Sequence, residues 1–166
     1  MSSNNVNNPS NFDKIVEFHK CFGLEINTLP QMNVVTDKPS LVKLRSDLIS
    51  EEVEEYNDAV KANDFPEIVD ALIDTLYVVY GACASYGIDA DKAYDLVHKS
   101  NMSKLCVSED EARQTVEHYA TDSRYDSPSY RRSENGGYWV VFNQSTGKIL
   151  KSINYKPVSF RSILEA

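Results

Sequence analysis

Basic side chains are scarce in this chain. Only 17 lysines and arginines stand against 25 aspartates and glutamates, a formal net charge of −8. A surface of that sign excludes broad binding to nucleic-acid phosphates, which needs a basic face. Cysteine is scarce too: Cys21, Cys83 and Cys106 are odd in number and widely spaced, so neither a disulfide framework nor a zinc site is expected, and a reducing, cytoplasmic setting fits. Long apolar runs are missing. The longest uncharged stretch, Thr75 to Ile88, has 14 residues, which suits a buried helix better than a bilayer span, so no membrane association is expected. The opening MSSNNVNNPSN lacks the apolar core of a signal peptide and the arginines of a transit peptide, and residues 1–10 read as a disordered tail. What is present is enough for one domain-sized core without staples: 166 residues, 42% of them apolar.

Periodicity predicts mostly helix. Phe12, Ile15, Phe18 and Phe22 recur at helical spacing before Gly23, and residues 24–38 read as loop. Pro39 opens a long helix that Asn63-Asp64 closes near Ala62; Asp64 and Pro66 start another that runs to Tyr86 before Gly87. Asp89 caps a fourth, reaching about Leu105, and Ser108-Glu109-Asp110-Glu111 has the form of a capping box for a fifth, to Tyr119. Beyond a Tyr/Ser/Arg-rich loop from Ala120 to Asn135, the run Tyr138–Phe142, a turn over Asn143–Gly147 and the segment Lys148–Tyr155 predict a β-hairpin, then a short terminal helix. No internal repeat or heptad is found. The expected organisation is a helical core over residues 11–107 and a C-terminal helix, loop and hairpin over 108–166.

The pattern breaks at the acids. In the long second helix Leu41, Leu44, Leu48 and Ala59 form one stripe, and Glu51, Glu52 and Glu55 project into it. In the next helix Ile68, Val69, Leu72, Ile73, Leu76 and Tyr80 make a wide apolar face, while Glu67, Asp70 and Asp74, the only charges from Phe65 to Tyr86, share the other side with Ala71 and Val78. Carboxylates gathered across two antiparallel helices raise one another's pKa and need compensation. Arg45 is the obvious internal partner and one guanidinium cannot neutralise the set, whereas hard divalent cations can. Glu52/Glu55 and Glu67/Asp70 at i,i+3, and Glu51/Glu55 at i,i+4, are each able to converge on one ion. A solvated acidic helix pair that binds nothing is the alternative, and periodicity alone leaves it open.

These residues carry a resemblance. Leu48-Ile49-Ser50-Glu51-Glu52-Val53-Glu54-Glu55 followed by Glu67-Ile68-Val69-Asp70 resembles the EExxE and ExxD pair of the MazG-like and phosphoribosyl-ATP pyrophosphohydrolase-like superfamily. The likeness extends over about residues 14–105 through Glu17-Phe18-His19, Phe22-Gly23, Pro30 and Ser100-Asn101-Met102-Ser103-Lys104. It implies an all-α MazG-like bundle with the hairpin as an appendage, assembled as a homodimer or higher homo-oligomer. It also implies Mg²⁺, or Mn²⁺ in its place, and cleavage of a nucleoside triphosphate between its α- and β-phosphates. On this likeness Glu52, Glu55, Glu67 and Asp70 are metal ligands, and Glu51 either joins them or shares with Glu52 the handling of the attacking water. Asn101 and Lys104 would meet phosphate or sugar, Phe18 and His19 the base, and Asp74 would support a ligand or a bound water.

Weaker signals are weighed beside these. Asn101 and Lys104 also suit an ordinary helix C-terminus. Phe18, His19 and Phe22 also suit a core, Asp74 suits solvent, and His98 has no second ligand at metal spacing. Tyr119, Tyr125, Tyr130, Arg124, Arg131 and Arg132 combine aromatic and basic groups able to close over a base and a triphosphate, or form a solvated connector; Trp139 is expected to pack the hairpin. Rival functions are a histidine-biosynthesis enzyme acting on phosphoribosyl-ATP and an acidic module docking a basic partner. A di-iron carboxylate bundle is disfavoured, because neither His19 nor His98 follows a glutamate by three.

Overall fold

The fold is described from a computed structural model over residues 8–165, so the first seven residues of the expected tail lie outside the described residues. Ser10 is not tail but the N-cap of α1 (Asn11–Phe22): its hydroxyl accepts from the Asp13 amide at 3.1 Å and its own amide donates to the Asp13 carboxylate at 2.9 Å. Within the stretch expected as loop, residues 34–37 wind into the short α2 (Val34–Asp37). The next two helices keep their expected bounds, α3 (Pro39–Ala62) and α4 (Phe65–Tyr86). Asn63 takes the left-handed conformation between them at φ 54°, and Asp64 caps α4. Gly87 ends α4 at φ 73°, where a Cβ would lie 1.9 Å from the Leu29 carbonyl oxygen, so only glycine fits.

Helix α5 (Ala90–Met102) stops earlier than expected, because turns take over: the amides of Lys104 and Leu105 donate to the carbonyls of Asn101 and Met102, both at 3.1 Å. Helix α6 (Glu109–Ala120) has Ser108 as its N-cap, but the reciprocal arm of the capping box is not made. Glu111 is buried and its carboxylate instead accepts from the Val107 amide and the Ser152 hydroxyl. The hairpin also differs from expectation. Strand β1 (Pro128–Arg132), from the segment read as loop, pairs antiparallel with β2 (Trp139–Asn143), with Tyr130 opposite Val141. The expected partner, Lys148–Tyr155, contributes one bridge, Ile149 to Phe142. Farther along, its backbone donors find acceptors elsewhere: Ser152 donates to the Lys104 carbonyl and Ile153 to Thr115 Oγ1, both at 3.2 Å. A short α7 (Arg161–Leu164) closes the described chain. The architecture is all-α with one small two-stranded sheet.

The described residues form two compact units, 8–93 with 160–165, and 94–159. In the first, α3 and α4 are joined by two residues, pack antiparallel along each other, and carry α1 against α4. Its buried apolar residues are mostly small: Ala59, Ala71, Ala82, Ala84 and Ala90 beside Ile15 and Ile163. The wide apolar face of α4 is therefore not the core face that the sequence suggests. Val69, Leu72, Ile73 and Leu76 stand open, Ile73 at 56%, while Ala71 on the acidic side is buried at 3%. Helices approach closest where side chains are short, so the alanine side seats α4 and the larger side chains remain unpartnered. Among the described residues α4 is also the one helix long and apolar enough, by length and composition, to cross a membrane. In the second unit Cys106, Ala112, Val141 and Leu150 form the core, and Trp139, Tyr119, Tyr125 and Tyr130 pack against it.

Candidate acidic site on α3 and α4

The antiparallel α3–α4 pair brings five carboxylates into one field. Burial, and then the charges of Glu55, Asp74, Glu51 and Asp70, push the Glu52 carboxyl above its ordinary range. Glu52 is the half-buried centre; Glu51, Glu55, Asp70 and Asp74 around it are open to solvent rather than turned inward as the sequence suggests. Asp74, weighed only as a supporting residue, acts on Glu52 from one turn beyond Asp70. Glu67 is exposed, its amide capped by Asp64 at 3.4 Å, and it is not among the groups that act on Glu52.

No internal cation answers these charges. None of the ion pairs among the described residues involves Glu51, Glu52, Glu55, Glu67, Asp70 or Asp74. Arg45, the partner expected from the sequence, is committed elsewhere. It is buried, its Nη2 lies 3.5 Å from His19 Nε2, and the charges that favour its ionised form are those of Tyr86 and Glu25. Arg45 Nε is buried without a hydrogen-bond partner. Its guanidinium joins α3 to α1 rather than to the acidic patch.

The donor set suits a hard divalent cation in kind, being all carboxylate oxygen with no neutralising base nearby. Among the described residues no three His, Cys, Asp or Glu side chains stand close enough to enclose an ion.

The other expected site residues fall in three places. His19 is buried at 2%, and its Nδ1–H donates to the Glu25 carbonyl at 3.0 Å while Nε2 faces Arg45, so the ring is held neutral and occupied on both nitrogens. Burial and the Arg45 charge hold its pKa below the usual histidine value, against the opposing pull of the Glu25 hydrogen bond. Phe18 is half-buried in an aromatic group, 4.3 Å from the Phe22 ring and 5.5 Å, edge to face, from Tyr77. Tyr77 was not singled out in the sequence, although its position three residues after Asp74 on α4 is the signal that finds it. Asn101 and Lys104 belong to the second unit and engage each other, Lys104 Nζ donating to Asn101 Oδ1 at 2.7 Å. His98 is exposed.

Comparison with known proteins places this geometry in context. A sequence model described as phosphoribosyl-ATP pyrophosphohydrolase matches residues 15–101, from α1 into the last turn of α5, and so takes in all six acids. An uncharacterized protein of Acanthamoeba polyphaga mimivirus is 30% identical, in an alignment covering 97% of this chain and 98% of that protein. That second match extends over the C-terminal unit, of which the family model reaches only residues 94–101.

Proposed function

The chain belongs to the phosphoribosyl-ATP pyrophosphohydrolase family, a nucleotide pyrophosphohydrolase at that level, and from this premise we propose that it hydrolyses a ribo- or deoxyribonucleoside triphosphate to the monophosphate and pyrophosphate. The observation that carries the reading is that Glu55, Asp74, Glu51 and Asp70 lie near enough to half-buried Glu52 to push its carboxyl up, while no ion pair among the described residues engages any of the five. Such a patch is tolerable in the apo chain because it is wet, and it becomes favourable when positive charge arrives with a polyphosphate.

Phosphoryl transfer asks little covalent work of a protein and much charge neutralisation and alignment. Mg²⁺, or Mn²⁺ in its place, would supply that neutralisation and lower the pKa of a bound water. Glu52, Glu55, Glu67 and Asp70 are the residues to hold it, with Glu51 as a further ligand. Glu51 and Glu52 would orient the attacking water or take its proton. Asp74 acts on the same field and would hold a ligand or a bound water in place. Lys104 offers a point charge to the outer phosphates and Asn101 a hydrogen bond to phosphate or ribose, while Phe18, with His19 fixed behind it, contributes an apolar wall for the base.

A nucleotide-pool, house-cleaning role is favoured over histidine biosynthesis because the chain continues for about 60 residues past Lys104, more than a compact single-step enzyme carries. The family's own description supports phosphoribosyl-ATP as the second reading. The exposed Val69, Leu72, Ile73 and Leu76 face supports assembly as a homodimer, since a contiguous apolar face of this kind is seldom left to water. The three free thiols are consistent with a reducing, cytoplasmic setting.

The test is pyrophosphate release from a panel of dUTP, dCTP, the four common NTPs and phosphoribosyl-ATP with Mg²⁺, using wild type and Asp70→Asn. Turnover of a triphosphate that Asp70→Asn abolishes, with an unchanged circular dichroism spectrum, is the expected result. Turnover of phosphoribosyl-ATP alone would move the assignment to the second reading, and full activity in Asp70→Asn would remove the acidic patch from the reaction.

A further inference from the structure

The second unit holds a cavity of about 440 Å³ lined by His118, Tyr119, Lys151, Ser152, Ile153 and Tyr155. All six lie beyond residue 101, outside the part of the chain that the family match covers. The volume is within the range of small-molecule sites.

The walls are prebuilt. Tyr155 is fixed at its far end by a 3.0 Å hydrogen bond between its hydroxyl and Ser100 Oγ, and the adjoining backbone is pinned by Ile153 N donating to Thr115 Oγ1 at 3.2 Å and Asn154 N donating to Ser152 Oγ at 2.9 Å. An aromatic ring is thus held rigid at a surface cavity. Above its face, 4.5 Å from the ring centroid, stands the Lys151 ammonium, which makes no ion pair with any carboxylate among the described residues. His118 is exposed and lies edge to face against Tyr119 at 5.2 Å. The Asp122 carboxylate, on which the His118 charge acts, is already engaged by Arg124. No carboxylate lines the cavity, and the unit around it, residues 94–159, carries nine basic against eight acidic side chains in a chain whose net charge is −8.

A rigid ring face, a second tyrosine, an unpaired ammonium and an imidazole in one cavity match a planar aromatic group that bears an anion. We propose that this cavity is a second binding site, separate from the acidic patch, for a nucleoside monophosphate, with the base against Tyr155 and Tyr119 and the phosphate on Lys151 and His118. Stacking on a ring tolerates any base, so the site discriminates by phosphate more than by base.

The test is isothermal titration of the full chain with AMP in EDTA, with adenosine and inorganic phosphate as comparators. AMP binds more tightly than either; Lys151→Glu, at an exposed position, weakens AMP about tenfold or more and leaves adenosine unchanged. Tyr155→Phe, which keeps the ring, retains AMP binding, and Glu52→Gln leaves it unchanged. Absence of AMP binding, AMP affinity indifferent to Lys151→Glu, phosphate binding as well as AMP, or loss of AMP binding in Glu52→Gln would each overturn the site. The last result would place the ligand on the acidic patch instead.

Discussion

Replacing Glu52 by glutamine should make the metal-free protein more stable while destroying its activity. The side chain is half-buried and its carboxyl is pushed up by burial and by Glu55, Asp74, Glu51 and Asp70. Glu55 stands at i,i+3, Glu51 is its sequence neighbour, and the two aspartates act from α4 across the helix pair. A like-charge pair on a helix surface costs about 0.2–0.5 kcal/mol, so four pairs of that order bring the relief to about 1 kcal/mol. For a chain of this size that moves a thermal midpoint up by roughly 2–4 °C. The sign with pH follows from the raised pKa. Below the ordinary 4.5 the carboxyl is protonated in both folded and unfolded chains and the variant gains nothing. As pH rises through the higher folded value the wild type loses stability to the repulsion, and the variant's advantage reaches its full size near neutrality. Magnesium reverses the order, because a ligand at a hundred times its Kd adds about 2.7 kcal/mol to the state that binds it. Thermal melts at neutral pH, in EDTA and in saturating Mg²⁺, read all of this: Glu52→Gln melts higher than wild type without the ion and lower with it. A variant that melts lower in EDTA, or an equal Mg²⁺ response in both proteins, would show that Glu52 is not the centre of a cation-seeking cluster.

Gly81→Ala should destabilise. The added Cβ would sit 3.2 Å from His19 Nε2 and 3.3 Å from Arg45 Nη1, both on buried side chains, so an overpacking cost of about 1–3 kcal/mol outweighs a gain in helix propensity of about 1 kcal/mol; an unchanged or raised denaturation midpoint refutes it. Because burial, with Arg45, holds the His19 pKa below 6.5, the unfolded chain takes up the proton first. Stability should therefore be full above about pH 6.5 and fall as pH drops through the lower folded value. His19→Gln should flatten that slope below about pH 6.5, and equal slopes would mean that His19 is free to ionise in place. Lys104→Ala should raise KM for the triphosphate about tenfold with kcat nearly kept; an unchanged KM removes Lys104 from the substrate.

Much of the helical frame was legible because its signals are local. Pro39 and Asn63 bound α3, Asp64 and Gly87 bound α4, and each acts through its own backbone angles or a hydrogen bond three residues away. The acids of α3 and α4 were legible for the same reason, since 100° per residue sets which of them share a face before any tertiary contact forms. The expected hairpin partner failed at Lys148–Tyr155 because strand pairing is a contest between distant segments, and Thr115 and the Lys104 carbonyl offered that segment's amides other acceptors. Glu111 left its capping box on similar grounds, drawn to Val107 and Ser152.

Amino-acid order alone determined that this chain is helical, that carboxylates recur along one side of each of two consecutive helices, and that its positive charge is thin. Only the tertiary structure decided which side of α4 would be seated, and it chose Ala71 over Leu72, Ile73 and Leu76 because short side chains let two helices approach. It also decided that Arg45 would turn to His19, leaving Glu52 among four other acids without a counter-charge. Periodicity places a side chain on a face, but only packing determines what that face meets.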